Sequence, residues 1–293
     1  MNPVIMHINY GEAASDRYGS NTIDDICRMA ADVGFDGIEF RGTPPRDVEG
    51  LTFEEYVKQI AAARKKYNLS HIMFAIAPAN CISEDKELRA AGVQKALEDA
   101  RFVHDMCGTT LCNTFSTAIF STDPSVAPRD FAKHGSAVAT QDQWDMTVEV
   151  FQQFAKGIEP LGMKFAFETH MKYIHDLPET SKKLVDLIDS PNIGINMDYG
   201  NTVYFAGCPS VEETIDIYGD KLFYTHLKNS IQIGTDRKPT ALSEGTINHR
   251  RYLKKLEKVG FDGFIGMECT RPGDRCWFAQ QDMAYYKALR NSI

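Results

Sequence analysis

The chain has 293 residues, a hydrophobic share of 43% and a charged share of 25%, values of an ordinary globular protein that exclude disordered and fibrous classes. Its net charge of −8 opposes a phosphate backbone, and its apolar runs are too short to span a bilayer, so neither nucleic acid nor a membrane is an expected partner. Seven cysteines (27, 81, 107, 112, 208, 269 and 276) contain no Cys-x-x-Cys pair, which argues for free, mostly buried thiols over a disulfide framework or a sulfur-rich zinc site. The opening Met-Asn-Pro-Val-Ile-Met-His has no basic stretch leading into an apolar one, so a cytoplasmic location is the expectation.

Strand-length apolar segments then alternate with helix-length amphipathic ones, and eight pairs are predicted. The first strand covers about residues 4–9, and its helix, about 22–33, has an apolar stripe of Ile23, Ile26, Met29 and Ala30 and stops at Gly34. Residues 37–40 form the second strand, followed by a helix opened by Thr52 and Glu55 at capping-box spacing. A third strand at about 69–76, a long helix at 87–106 and a fourth strand at 110–115 come next. Residues 116–139, with Pro124, Pro128 and Gly135, exceed an ordinary connection and are read as a lid or a contact segment. A helix at 143–158 leads into the fifth strand, Lys164 to His170, and a helix at 179–188 follows it. The sixth strand, 192–197, precedes a helix at 210–218 with Ser210 and Glu213 in capping-box register. Strand seven at 222–227, a polar loop at 228–247, a helix at 249–259, strand eight at 264–267 and a helix at 278–289 complete the pattern.

One internal repeat supports this count. Val33-Gly34-Phe35-Asp36-Gly37 and Val259-Gly260-Phe261-Asp262-Gly263 are the same helix-to-strand turn. Eight βα units joined by right-handed crossovers close into a parallel barrel, so the predicted fold is α/β, a single (β/α)8 TIM barrel domain over residues 1–293. An open doubly wound sheet is the runner-up, disfavoured because Asn9-Tyr10-Gly11-Glu12 offers no Gly-x-Gly-x-x-Gly.

In such barrels chemistry gathers at the C-terminal strand ends. Strand five ends in Glu168 and His170, which a period of two places on one face. Strand six ends in Asp198 with Asn201 beyond, strand seven in His226 and Lys228, and strand eight in Glu268. Three carboxylates and an imidazole form an oxygen and nitrogen set for one divalent cation, and without thiolates the set does not choose among Mn²⁺, Mg²⁺, Co²⁺ and Zn²⁺. Packed together without a cation, the carboxylates would repel one another strongly. Each residue alone also has a structural explanation: Asp198 could cap the next turn, and a lone His226 is more often a satisfied core group than a ligand. His170 and Lys228 are read as substrate contacts, with Asn201, His7, Glu39 and Asn113 as weaker substrate-binding candidates from other strand ends. Arg271, just past Glu268, could reach a phosphate or carboxylate on the substrate, or only a surface acid.

Gly-Ile-Glu (37–39), Phe-Glu-Thr-His (167–170), Asn-Met-Asp-Tyr-Gly-Asn (196–201), His-Leu-Lys-Asn (226–229), Glu-Gly-Thr-Ile (244–247) and Gly-Met-Glu (266–268) together resemble the xylose isomerase-like barrel superfamily of sugar isomerases and epimerases. The resemblance implies a metal held by Glu168, Asp198, His226 and Glu268, with Glu168 and Glu268 facing a bound ketose from opposite sides as the catalytic acid and base. It also implies a small-molecule sugar or keto-sugar as the partner, and it leaves a homodimer or homotetramer open. A cation on the carbonyl and neighbouring hydroxyl oxygens acidifies the adjacent carbon as a Lewis acid; one carboxylate removes the proton and the other returns it.

The sequence departs from the ketose 3-epimerases of that superfamily. They are expected to carry a His three residues after the metal-binding Asp and an Arg shortly after the metal-binding His, where this chain has Asn201 and, at 229–233, Asn-Ser-Ile-Gln-Ile. A dehydratase acting on a keto-sugar, inosose or dehydroshikimate-like acid reuses the same acids and is the main alternative. An endonuclease IV-like nuclease, which needs a richer histidine set, and a non-catalytic sugar-binding barrel rank below it.

Overall fold

Local chemistry sets the ends of the helices. Thr22, Thr52, Thr140 and Ser210 each accept a hydrogen bond from the backbone N–H three residues on, and the side chains of Asp25, Glu55, Gln143 and Glu213 accept one in return from the cap backbone. The repeated turn works identically in both copies. Gly34 (φ 93°) and Gly260 (φ 74°) take the left-handed conformation, while Phe35 N–H donates to Ala30 O and Phe261 N–H to Leu256 O, each at 3.0 Å.

The computed structural model describes residues 1–6, 13–44, 50–234, 236–268 and 271–293. In chain order the elements begin β1 (Asn2–Met6), α1 (Ala13–Tyr18), α2 (Ile23–Val33), β2 (Gly37–Arg41), α3 (Phe53–Tyr67), β3 (His71–Ala75), α4 (Lys86–Cys107) and β4 (Leu111–Thr114). They continue α5 (Gln141–Ile158), β5 (Lys164–Glu168), α6 (Pro178–Ile188), β6 (Ile193–Asp198), α7 (Tyr199–Thr202), α8 (Val211–Tyr218) and β7 (Leu222–Leu227). Last come β8 (Asn229–Ile233), β9 (Asp236–Thr240), α9 (His249–Lys258), β10 (Phe264–Met267) and α10 (Arg275–Arg290). Eight strands close in the order β1-β10-β7-β6-β5-β4-β3-β2, so the chain is the parallel (β/α)8 barrel that the sequence predicts.

By contacts the chain divides into two compact units, residues 1–75, 105–109 and 226–293, and residues 76–104 and 110–225. Within the first, Phe40 of β2, Tyr56 of α3 and Phe74 of β3 are buried and meet edge to face, with centroids 5.9 Å (Phe40–Tyr56) and 6.5 Å (Tyr56–Phe74) apart. Within the second, Phe151 and Phe154 of α5 pack on Phe167 and Phe165 of β5 at 4.5 and 4.7 Å. That packing pins the strand that ends in Glu168. Cys27, Cys81, Cys107, Cys112 and Cys276 are buried and Cys208 is half-buried, none of the six in a disulfide; Cys269 lies outside the described residues. Among the described residues no helix is long and apolar enough to cross a membrane.

The predicted polar loop at 228–247 contains a hairpin, β8 paired antiparallel with β9 in the register Asn229↔Thr240 and Ile231↔Lys238. Asp236, Arg237, Lys238 and Pro239 have poor strand propensity, which hides it. Tertiary hydrogen bonds hold the returning chain: the buried Asn229 amide donates to Leu242 O (3.2 Å) and Ile247 O (2.9 Å), and its Oδ1 accepts from Ile247 N–H (3.0 Å). Strand five is shorter than expected and stops at Glu168. The end of the predicted first strand, residues 7–9, lies outside the described residues.

Gly92 of α4 offers a stability test. A Cβ there would lie 2.2 Å from Ala79 O, a backbone atom that cannot swing away. In an open helix Gly→Ala stabilises by about 1 kcal/mol. Here we expect Gly92→Ala to destabilise by about 2 kcal/mol, read as a lower urea midpoint at constant slope. A raised midpoint contradicts the close approach.

Candidate metal centre and active site

Glu168 ends β5 directly after the buried Phe165, Ala166 and Phe167. Its Oε2 accepts a hydrogen bond from Asn113 Nδ2 of β4 (2.9 Å) and its Oε1 one from Asn201 Nδ2 (3.2 Å). Asn113 is in turn oriented by Asn196 Nδ2 of β6, which donates to Asn113 Oδ1 at 3.1 Å. Asp198, the last residue of β6, caps α7 by accepting from Asn201 N–H (3.1 Å), and its other oxygen accepts from Asn201 Nδ2 (2.9 Å). One asparagine therefore bridges the two acids.

His226 of β7 is fully buried. Its Nε2 lies 3.2 Å from Glu39 Oε2 of β2, and its Nδ1 lies 3.3 Å from Glu268 Oε2. Glu268 follows β10, is anchored by its N–H on Leu227 O (3.0 Å), and accepts from Lys228 Nζ at 3.1 Å. With the Nε2 proton donated to Glu39, the Nδ1 lone pair faces a carboxylate oxygen, a contact that is repulsive unless a cation lies between them. A carboxylate behind a ligand imidazole is the usual second layer of a metal site.

Glu168, Asp198, His226 and Glu268 stand on or directly after strands that are neighbours in the barrel order, and each offers one ligand atom within 4.8 Å of the others. Atoms about 2.1 Å from one cation are up to about 4.2 Å apart, so movements of less than an ångström would close the set around an ion. Three carboxylates in so small and largely buried a space need positive charge. This buried carboxylate and histidine cluster fits a divalent cation on donor chemistry and spacing.

The remaining sequence candidates distribute unevenly. Asn113, Asn201, Glu39 and Lys228 all touch one of the three acids or the imidazole, in the contacts above. His170 does not share the face of Glu168 by strand period, because the strand has ended; its Nδ1 lies 3.0 Å from Met171 O and its ring meets Phe115 and Tyr173 edge to face. The Arg271 guanidinium lies on Asp282 (2.8 Å) and over the Phe278 ring; the acid it meets is buried, where the sequence left open a substrate anion or a surface acid. His7 lies outside the described residues. Two residues around Glu168 are not among the candidates that the sequence singles out. Asn196 sits two positions before Asp198 in β6, a period-of-two signal that would have found it. His175 lies in an irregular turn where no period applies; it is fully buried, and its Nδ1 is 2.7 Å from Glu168 O. Burial holds the His175 imidazole neutral, its pKa pushed down to about 3.

His249, at the start of α9, is likewise fully buried on Leu242 O (2.8 Å), and burial pushes its pKa down to about 4. The folded state thus excludes a proton that the unfolded chain takes up near pH 6.5, so stability is full above that pH and falls as pH drops toward 4. Between pH 7.5 and 5 this group accounts for roughly 2 kcal/mol. We expect denaturant titrations of His249→Gln to show a correspondingly shallower loss over that window; an unchanged slope contradicts the assignment.

Comparison with known proteins adds relatives of matching architecture. The family described as xylose isomerase-like TIM barrel matches residues 27–290. An inosose dehydratase of Clostridium perfringens is 22% identical, with 93% of this chain and 87% of that protein covered. An uncharacterized protein of Methanocaldococcus jannaschii is 27% identical over 127 residues, and the chain spans only 43% of its length and 42% of its own. Among solved structures, a probable 3-DHS dehydratase involved in petrobactin synthesis from Bacillus anthracis superposes with a TM-score of 0.72 at 17% identity, covering 98% of this chain and 99% of that one. A D-allulose 3-epimerase from Methylomonas sp. gives 0.72 at 15% identity, covering 99% and 98%.

Proposed function

The chain belongs to the xylose isomerase-like TIM barrel family, and from that premise we propose that it is a divalent-metal-dependent enzyme that removes a proton next to the carbonyl of a sugar or keto-sugar and returns it, isomerising or epimerising the substrate. The observation that carries this reading is the set of four ligand atoms within 4.8 Å on Glu168, Asp198, His226 and Glu268. The hard oxygen-rich donors suit Mn²⁺, Mg²⁺, Co²⁺ or Zn²⁺. A cation held there supplies Lewis-acid stabilisation of the charge that develops on the carbonyl oxygen.

The protein's own residues do the rest. Glu168 is the base, its carboxylate oriented through the amides of Asn113 and Asn201, neutral donors that fix its direction without adding a formal positive charge. Glu268 faces the substrate from the other side, with Lys228 beside it to contact a substrate oxygen. Glu39 holds His226 in the tautomer that turns Nδ1 toward the cation. Removing the proton with one glutamate and returning it to the opposite face with the other inverts the carbon; returning it to the neighbouring carbon isomerises the sugar.

A dehydratase is the second reading, favoured by the Lys228–Glu268 contact and by the relationship to an inosose dehydratase. An ammonium group next to the second carboxylate is placed to donate to a departing β-hydroxyl, which leaves as water after Glu168 takes the α-proton. The two outcomes separate in D₂O with a panel of ketoses, inososes and keto-acids. Epimerisation or isomerisation puts one deuterium on carbon without loss of water, whereas elimination yields an unsaturated or rearranged product lacking one water. For either, we expect chelator-stripped protein to be inactive until Mn²⁺ or Co²⁺ is restored, and Glu168→Gln and Glu268→Gln each to lower kcat by about 10²-fold or more. Full turnover by stripped protein, or by either variant, contradicts the mechanism.

A further inference from the structure

The long segment at 116–139 is seated on the turn that follows β5. Ile119 N–H donates to Lys172 O (2.7 Å), Gly135 N–H to Ile119 O (2.9 Å), and Ser136 N–H to Asp176 Oδ2 (3.2 Å). Gly135 (φ 58°) is required there, since a Cβ would lie 2.2 Å from Asp176 Oδ2. The segment begins on a side chain: Ser116 N–H donates to His175 Nε2 at 3.1 Å. The opposite nitrogen of the same ring, Nδ1, lies 2.7 Å from Glu168 O. Because Nε2 accepts, Nδ1 carries the proton and donates to that carbonyl, so both contacts specify a single neutral tautomer.

The ring has little freedom to move. Tyr173 stacks on it at 5.2 Å, Phe167 of β5 packs against it at 4.9 Å, and His175 O accepts from Ser181 Oγ of α6 at 2.9 Å. Neighbouring Thr169 is fixed by Tyr218, the two hydroxyls 2.7 Å apart. Resting on the function proposed above, we infer that His175 is a positioning residue that ties the seat of the 116–139 segment to the backbone of Glu168, so that the order of one sets the aim of the other. Its two ring nitrogens meet the Ser116 N–H and the Glu168 carbonyl, so it acts through the Glu168 backbone. A loosened segment thereby weakens the cation site without any ligand being replaced.

The test uses the full chain with Mn²⁺ alone as the probe, followed by spin resonance, and hydrogen exchange at the Ser116 amide. Asparagine at 175 retains a donor near the Nδ1 position, while glutamine retains an acceptor near the Nε2 position. We expect both variants to bind Mn²⁺ at least tenfold more weakly than the unmodified protein, His175→Asn because Ser116 loses protection and the segment no longer holds the ring, and His175→Gln, with Ser116 still protected, because the Glu168 end of the strut is lost. Mn²⁺ affinity within threefold of the unmodified protein in either variant, or equal protection of Ser116 in the two, overturns the inference. Should either variant fail to fold, nitrogen NMR of the unmodified protein decides: the Nδ1–H tautomer at pH 7 supports it, and an Nε2–H or doubly protonated ring overturns it. If the unmodified protein binds no Mn²⁺, the metal reading has failed, while the exchange and tautomer results still judge the strut.

Discussion

Negative charge crowded into a small, largely buried space is the constraint on which the rest of this molecule depends. Carboxylate oxygens within 4.8 Å of one another, on largely buried side chains, repel strongly in a medium that screens poorly. A fold keeps such an arrangement only if its scaffold is stiff and a counter-charge is supplied. The stiffness is visible in the aromatic packing of α5 on β5 and in the amide relay from Asn196 through Asn113 to Glu168. Part of the counter-charge is visible as Lys228, at the edge of the cluster; the divalent cation proposed above would supply the remainder.

The cluster is also asymmetric, and the asymmetry has chemical content. Glu168 is held by neutral amides, whereas Glu268 lies beside an ammonium group and an imidazole. Two carboxylates in unlike surroundings are suited to unlike tasks, one taking a proton and the other managing the far side of the substrate. Neutral Asn201, standing where the sequence resemblance leads one to expect a histidine, contributes directly to this difference by bridging Glu168 and Asp198.

Much of this was legible in the sequence because the barrel writes its chemistry at strand ends. An apolar run broken by an acid, as in Phe165-Ala166-Phe167-Glu168, locates a member of the cluster without any long-range information. Alternation does not extend to His170, because period two holds only while the strand lasts and β5 ends at Glu168. The partner of Arg271 is not legible in the sequence for a related reason: a guanidinium beside a site acid can fold back, and Asp282, eleven residues on in α10, accepts its hydrogen bond. The hairpin in 229–240 depends on Asn229 closing hydrogen bonds with Leu242 and Ile247, a tertiary arrangement that no local propensity announces. His175 and the 116–139 segment are silent for the same reason, since the residues that meet are 59 positions apart and lie in irregular backbone.

The central claim is that one cation unites four side chains from neighbouring strands, and anomalous diffraction from crystals equilibrated with Mn²⁺ tests it most directly. The account predicts a single strong manganese peak about 2.1–2.3 Å from carboxylate oxygens of Glu168, Asp198 and Glu268 and from His226 Nδ1. A peak elsewhere, or none at that cluster at saturating Mn²⁺, would contradict it.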